Sequence, residues 1–314
     1  MRVSVTDRCN LRCRYCMPRG IVTVPMTDIL TYEEILDTAW AAARCGIKKL
    51  KVTGGEPLVR KGVIGLIQKL KEIPGIEQVT LTTNGTLLAP CVNELKAAGL
   101  DGVNVSLDTL NAGTFREITG FDMLNDVLRG IDAAISAGLR VKVNAVLQEG
   151  VNAEEWDALL QMAGDSPLDV RFIEMMPIGE ARRVRAVNNH RLLGRVREKY
   201  PKLEADTRSH GNGPAVYVRI PGFQGSVGFI SAMNEKFCGS CNRIRLTARG
   251  ELKPCLCYAD SVDLRRILRE TAPEGRIEKL AAAIRSVIEM KPRAHCFEDE
   301  RQITEPRRMA EIGG

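Results

Sequence analysis

Apolar positions in the first half of the chain follow a repeated phrase. Runs at 2–6, 48–53, 77–82, 102–107, 140–147 and 169–175 are short and rich in β-branched residues, with apolar side chains alternating or adjacent, and they read as strands. Between them, stretches opening at 31, 61, 90, 124 and 153 place apolar residues three and four apart and read as amphipathic helices. Thr31 with Glu34 has the spacing of a capping box, and Gly46 stops that first helix. Strands separated by helices at ~30-residue intervals demand parallel pairing through right-handed crossovers. Eight such units close a full barrel. Six followed by a change of pattern predict an α/β fold, a partial (β/α)6 barrel open on one side, over residues 1–176.

The change comes near Pro177 and opens a C-terminal α+β extension over residues 177–314. Residues 182–200 are basic and helical in part, 208–214 form a loop, 215–220 and 226–231 alternate as strands, and LTARGEL at 246–252 is a hairpin. Two helices, 262–269 and 275–290, precede a polar tail ending in Gly313 and Gly314.

Composition narrows the class. Hydrophobic residues make up 44% and charged residues 27% of 314 positions, as in a soluble globular protein, and no apolar run approaches the ~20 residues of a membrane span. Strand-like sequence from residue 2 leaves no room for a targeting peptide, so the expected location is the cytoplasm. A net charge of +6 suits an anionic small substrate as well as nucleic acid, but the basic residues are spread along the chain and the 4% of aromatic residues offers little for stacking bases.

Ten cysteines are too sparse for a disulfide scaffold, and six fall in two groups. Cys9, Cys13 and Cys16 crowd a loop just after the first strand. Thiolates gathered in that way select soft metals or an iron-sulfur cluster, and three ligands leave one metal position open to a substrate or cofactor. A zinc knuckle completed from a distance is the alternative. Cys238, Cys241 and Cys255 form the second group, which reads either as a zinc ribbon or as a second three-thiolate site; Cys257, beyond Pro254, does not complete it. Arg243 and Arg245 share a strand face beside that group, where two guanidinium forks can reach one polyanion, or else are ordinary surface hairpin residues. Of the remaining cysteines, Cys45 and Cys91 read as small buried hydrophobes. Ligands of parallel βα folds sit past the C-terminal strand ends. Gly54-Gly55-Glu56, Thr82-Thr83-Asn84-Gly85, Ser106-Leu107-Asp108, Lys142-Val143-Asn144 and Arg171 to Glu174 are therefore read together as the lining of one cavity.

The C-x3-C-x2-C loop with Tyr15 before its third cysteine resembles the radical S-adenosylmethionine (SAM) enzymes. SVTDRCNLRCRYCMP, TGGEPLVR, LTTNG, NVSLD, VKVN, RFIEMMPIG, FCGSCNRIRL with Cys255, KPRAHCF and the terminal IGG extend that resemblance, over residues 2–314, to the GTP 3′,8-cyclase family that begins molybdenum-cofactor biosynthesis. The resemblance implies a SAM-binding [4Fe-4S] cluster on Cys9, Cys13 and Cys16, with SAM contacted by Tyr15, Gly55, Ser106 and Met176. It implies a second [4Fe-4S] cluster on Cys238, Cys241 and Cys255, whose open iron receives the guanine. GTP contacts fall on Arg2, Lys51, Thr82, Lys142, Arg243 and Arg245, and the catalytic residues on Arg243, Arg245, Gly313 and Gly314, the tail entering the barrel.

Implied partners are GTP, an external one-electron reductant and the next enzyme of the pathway, cyclic pyranopterin monophosphate synthase, with no membrane or nucleic acid and a homodimer left open. Two departures stand out. Lys51 replaces an expected arginine, which keeps the charge but loses the planar fork, and Arg2 lies close to the start of the chain where relatives carry an extension. A peptide-modifying radical SAM enzyme and a zinc-dependent nucleic-acid-binding protein are the competing readings.

Overall fold

The computed structural model of the chain describes residues 1–18 and 24–313. Its first half runs β1 (Arg2–Ser4), α1 (Tyr32–Arg44), β2 (Lys49–Thr53), α2 (Val63–Glu72), β3 (Gln78–Thr83), α3 (Val92–Ala97), β4 (Gly102–Ser106), α4 (Ala112–Thr119), α5 (Leu124–Ser136), β5 (Arg140–Ala145), α6 (Trp156–Asp165) and β6 (Asp169–Ile173). The strands pair in parallel, each with its predecessor. Helix α1 starts as the capping box predicts: Glu34 N donates to Thr31 Oγ1 at 3.1 Å and Thr31 N donates to the Glu34 carboxylate at 2.8 Å.

Helix α4 is an addition to the expected phrase. Asn111 caps it by accepting from Thr114 N at 3.0 Å, and Phe115 and Ile118 are buried. Its last carbonyls, left without helical partners, accept from the cysteine loop: Arg12 N donates to Thr119 O at 2.9 Å and Arg14 N to Ile118 O at 3.0 Å.

The second half contributes α7 (Asn189–Lys199), β7 (Glu204–Ala205), β8 (Val216–Arg219), β9 (Val227–Ile230), β10 (Arg245–Leu246), β11 (Glu251–Lys253), β12 (Val262–Asp263), α8 (Leu264–Glu270), α9 (Pro273–Glu289) and α10 (Met309–Ile312). It joins the same sheet, in the order β12-β11-β10-β1-β2-β3-β4-β5-β6-β9-β8-β7. Both β9 beside β6 and β10 beside β1 are parallel to their neighbours, so the six expected parallel strands are flanked by one more on each side. Antiparallel hairpins then end the sheet, which stays open. Residues 262–263 pair as β12 where a helix was expected to begin; Asp263 instead caps α8 by accepting from Arg266 N at 3.2 Å.

Alternation along the parallel strands sorts the side chains. Val3, Leu50, Val52, Val79, Leu81, Val103, Val105, Val141, Val143 and Val170 are buried in the core shared with the helices, each burial contributing about 1.5–3 kcal/mol. The intervening positions carry Arg2, Lys51, Thr80, Thr82, Asn104, Lys142, Asn144 and Arg171 on the other face of the sheet. An apolar outside against helices and a polar inside leave a hydrophilic interior where a closed barrel would pack branched aliphatics.

The C-terminal segment is held by a buried ion pair. Lys253 and Glu305 have fully buried side chains with Nζ and Oε2 2.6 Å apart. Lys253 Nζ also donates to Tyr258 O at 2.8 Å, and Arg307 Nε donates to Glu305 Oε1 at 2.8 Å. Glu305→Ala leaves a buried ammonium without its counter-charge and is expected to cost about 3–5 kcal/mol. A denaturant midpoint that gives a loss below about 1 kcal/mol would show that the pair is not an anchor.

Candidate functional site

The first group of cysteines occupies the loop leaving the C-terminal end of β1. Arg12 and Arg14 are bound to α4 as above, Cys16 N donates to Cys13 O at 3.0 Å, and Asn84 links Asn10 (2.8 Å) to the same turn, its amide lying 3.8 Å from Cys9 Sγ. Burial pushes the Cys16 thiol up to about 12, with the charge of Cys9 adding to it; burial and then the charge of Cys16 raise Cys13 in the same way. Three thiolates that repel across one space are compatible with a ligand that brings positive charge. Among the described residues no three His, Cys, Asp or Glu side chains are grouped to hold a single metal ion. An iron-sulfur cluster makes a different demand, since each thiolate binds its own iron, and the donor set fits one.

Gly54 and Gly55 have a packing role at this loop. A Cβ on Gly55 would stand 2.3 Å from Arg8 O, and one on Gly54 2.8 Å from Thr6 O, so only glycine lets the strand end lie against the chain that carries Cys9. Gly55 N donates to Thr6 O and Glu56 N to Arg8 O, both at 2.7 Å. Glu56 is buried, accepts from Thr83 Oγ1 at 2.8 Å and Asn84 N at 2.6 Å, and is raised to about 7 by burial. Tyr15 OH donates to Asp108 at 2.7 Å, and Asp108, raised to about 6 by burial, also accepts from Val146 N at 2.9 Å. Ser106, exposed, ends β4 beside this pair, and Met176 lies half-buried past β6, against the small core of Ile178, Phe297 and Ile312. Glu56 and Asp108 were visible only as strand-end polar residues; their partners lie 27 and 93 positions away. Glu174 departs from the expected cavity lining: it accepts from Asn189 N (3.0 Å), Met233 N (2.8 Å) and Asn234 Nδ2 (2.6 Å), tying the end of β6 to the C-terminal half.

Deeper in the sheet the lining becomes cationic. Arg2 is in register with Lys51 on one side and Arg245 on the other. Burial lowers the pKa of Arg2, as do the charges of Arg245, Arg243 and Arg171. Burial also lowers Lys51, followed by the charges of Arg171, Arg2, Lys142 and Arg243. Arg245 is lowered to about 10 by burial and then by Arg243. Each of the three is thus lowered first by burial and then by cations on the same face of the sheet. Among the described residues neither Arg2 nor Lys51 has a carboxylate ion-pair partner. Arg171, read from the sequence as cavity lining but not as a GTP contact, is buried on the same face of the sheet; its fork donates to Asn144 Oδ1 at 2.8 Å and to Asn104. Thr82 is in register with Asn104, and Asn104 with Lys142.

Lys142 is already engaged. Its ammonium lies 3.0 Å from Asp169 and 3.0 Å from Tyr217 OH, and it donates to His210 O. His210 in turn contacts Asp169 at 2.9 Å and Asp206 at 3.0 Å and stacks on Tyr217 at 4.0 Å. His210 of the 208–214 loop thus packs against Lys142 where β5 and β6 begin.

The second group lies at the opposite end of the strands from the first, since Cys238 and Cys241 precede β10 and Cys255 follows the antiparallel β11. Lys291 Nζ stitches its two segments, donating to Arg243 O at 2.8 Å and Pro254 O at 3.0 Å. Cys238 Sγ accepts from His295 N at 3.3 Å. For Cys241, burial acts upward, but the Arg243 charge, a backbone N–H and Lys291 outweigh it and leave the thiol below its ordinary value. Cys255 is raised by burial, with Lys291 opposing and Cys241 adding. Thiols that share this field form a second soft donor set, and its chemistry fits a cluster as the first does. The Arg243 guanidinium stacks over Phe237 at 4.8 Å and Arg245 is buried, so neither is a free hairpin residue. Cys45 and Cys91, expected to be buried, are only half-buried.

The tail ends inside. Helix α10 buries Ala310 and Ile312, and the Ala310 N–H acts on the Cys16 thiol. Gly313 is buried with φ +77°, and its carbonyl accepts from Arg245 Nη1. A Cβ there would stand 3.1 Å from Ser4 Cβ. Gly314 lies outside the described residues.

Residues 3–163 match the Radical SAM superfamily, and residues 168–297 match the family described as Molybdenum Cofactor Synthesis C. The GTP 3′,8-cyclase of Heliobacterium modesticaldum is 45% identical over 319 residues, covering 100% of this chain and 97% of the relative. That of Desulforamulus reducens is 43% identical over 320 residues, with the same coverage. Among solved structures, SuiB of Streptococcus suis bound to S-adenosylmethionine aligns with a TM-score of 0.66 at 13% identity, covering 91% of this chain and 67% of that one, which shows a shared fold.

Proposed function

The chain belongs to the GTP 3′,8-cyclase family of radical SAM enzymes, and on that premise we propose how its residues divide the work. The reaction is the conversion of GTP to 3′,8-cyclo-7,8-dihydro-GTP, the first step of molybdenum-cofactor biosynthesis. When bound at Cys9, Cys13 and Cys16, the cluster with SAM supplies, after one-electron reduction, the 5′-deoxyadenosyl radical that takes the 3′-hydrogen of the GTP ribose. Tyr15, Gly55, Ser106 and Met176 line the SAM side of the cavity. Asp108 fixes Tyr15, and Gly54 and Gly55 bring β2 against the cysteine loop.

The observation that carries the substrate side is the set of mutually repelling cations, Arg2, Lys51, Arg171, Arg243 and Arg245, around one interior space. A triphosphate relieves that repulsion, and forked arginines bind its oxygens in pairs. Lys142, held by Asp169, contributes charge from a fixed position, and the Thr82 hydroxyl would hydrogen-bond the nucleotide beside it. Cys238, Cys241 and Cys255 would hold a second [4Fe-4S] cluster whose open iron receives the base. Arg245 and Gly313, already joined, would position the ribose between the two ends, with Arg243 and Gly314 completing that set. We place the enzyme in the cytoplasm, where its thiols stay reduced, served by an external one-electron donor and passing its product to the pathway's next enzyme.

Anaerobic reconstitution with iron and sulfide tests the two-cluster part. About eight irons per chain are expected from two four-iron clusters, together with GTP- and SAM-dependent cyclised product; about four irons with full activity would overturn it. Arg245→Ala is expected to weaken GTP binding by about 1.5–3 kcal/mol, the range of a charge-assisted contact. Unchanged affinity by calorimetry would remove Arg245 from the clamp.

A further inference from the structure

Cys257 and Cys296 belong to neither group of three. Their side chains are buried at 0% and 5% exposure in the small core with Ile178, Phe297 and Ile312, and their sulfurs lie 3.0 Å apart across 39 positions of sequence. Cys296 N donates to Cys257 Sγ at 3.4 Å, so the backbone also holds the two thiols face to face. Closing that gap to the ~2.05 Å of a disulfide needs a movement of about 1 Å, within the reach of two side chains.

We propose that Cys257 and Cys296 are a dithiol that hydroperoxides oxidise to an intramolecular disulfide. One sulfur attacks the peroxide O–O bond, giving a sulfenic acid and releasing water or an alcohol. The second sulfur then displaces hydroxide, which leaves as water with the thiol proton. Two thiols lose two protons and two electrons, and the peroxide is reduced by two electrons. Dithiothreitol reverses the change by exchange.

The bond falls where it can matter. Cys257 is two residues from Cys255, and Cys296 follows His295, whose N–H lies on Cys238 Sγ. The disulfide therefore ties together the two segments that frame the second group of thiols, and keeps that frame assembled under the same oxidants that damage iron-sulfur clusters. The bond depends only on the two thiols; its benefit to the second cluster rests on the assignment proposed above.

The test uses the reconstituted full chain treated with hydrogen peroxide, alkylated and digested with trypsin without reduction. Cleavage leaves Cys257 on the peptide 250–265 and Cys296 on the peptide 294–301. The expected result is one cross-linked pair about 2 Da lighter than the sum of the two dithiol-state peptides, from the two hydrogens lost, absent after dithiothreitol and absent in Cys257→Ser. Because 250–265 also carries Cys255, a cross-link that survives in Cys257→Ser would assign the bond to Cys255 and overturn the proposal, as would no cross-link in the wild type. After peroxide and dithiothreitol, the wild type should regain second-cluster iron more completely than Cys257→Ser; equal recovery with the cross-link present would overturn the framing role alone and leave the disulfide standing.

Discussion

Replacing Cys238, Cys241 and Cys255 together by alanine is expected to abolish cyclised product while leaving release of 5′-deoxyadenosine from SAM measurable. Replacing Cys9, Cys13 and Cys16 is expected to abolish both. The two groups hang from different elements at opposite ends of the parallel strands, one past β1 and the other around β10 and β11, with the cationic interior between them. Whatever binds the second group therefore cannot share ligands with the first, and on the proposed assignment SAM cleavage is expected to need only the first. The measurement is 5′-deoxyadenosine and cyclised product by chromatography from each variant, with circular dichroism to confirm folding. If a folded variant of the second group releases no 5′-deoxyadenosine at all, this division of labour is wrong.

Deleting Gly313 and Gly314 is expected to lower cyclised product by about 100-fold or more, the scale on which small misplacements of a reacting group act. Iron content is expected to stay intact and GTP affinity to change little. Gly313 sits in a left-handed conformation against Ser4, and its carbonyl takes one donor of Arg245. The deletion removes those contacts but leaves α10 and the Glu305 anchor, so the loss should appear in turnover rather than in stability. Full activity in the truncated chain would falsify a positioning role for the tail.

The parallel strands were legible because each keeps a period of two over five or six residues, or sits beside a glycine turn, and the helices between them repeat their apolar positions three and four apart. The parallel pairing of the two strands that extend them was not: 226–231 reads as a strand, but nothing in it says that it lies beside β6. Strand β10 is two residues long, and its parallel match to β1 is set by where the C-terminal half returns in space. Helix α4 was missed although Asn111 stands at its start, since eight residues with two apolar anchors make a weak periodic signal.

Within the site, cysteine spacing exposed both thiol groups, because those ligands are close in sequence. What tightens them was hidden: Asp108 under Tyr15, Glu56 under Asn84, Asp169 and His210 on Lys142, and Cys296 facing Cys257 are pairings across long separations. Arg171 was readable as cavity lining, but the Asn104 and Asn144 side chains that hold its fork lie 67 and 27 positions away.

The crowding of Arg2, Lys51, Arg171, Arg243 and Arg245 has a consequence for the folded state as a whole. Without an anion the interior carries like charges that destabilise it, so folding and ligand concentration are thermodynamically linked. A ligand that binds only the native chain adds about 2.7 kcal/mol at a concentration 100 times its dissociation constant. On the proposed function GTP is such a ligand, so the melting temperature is expected to rise with GTP concentration, and occupancy can be followed from it without any turnover.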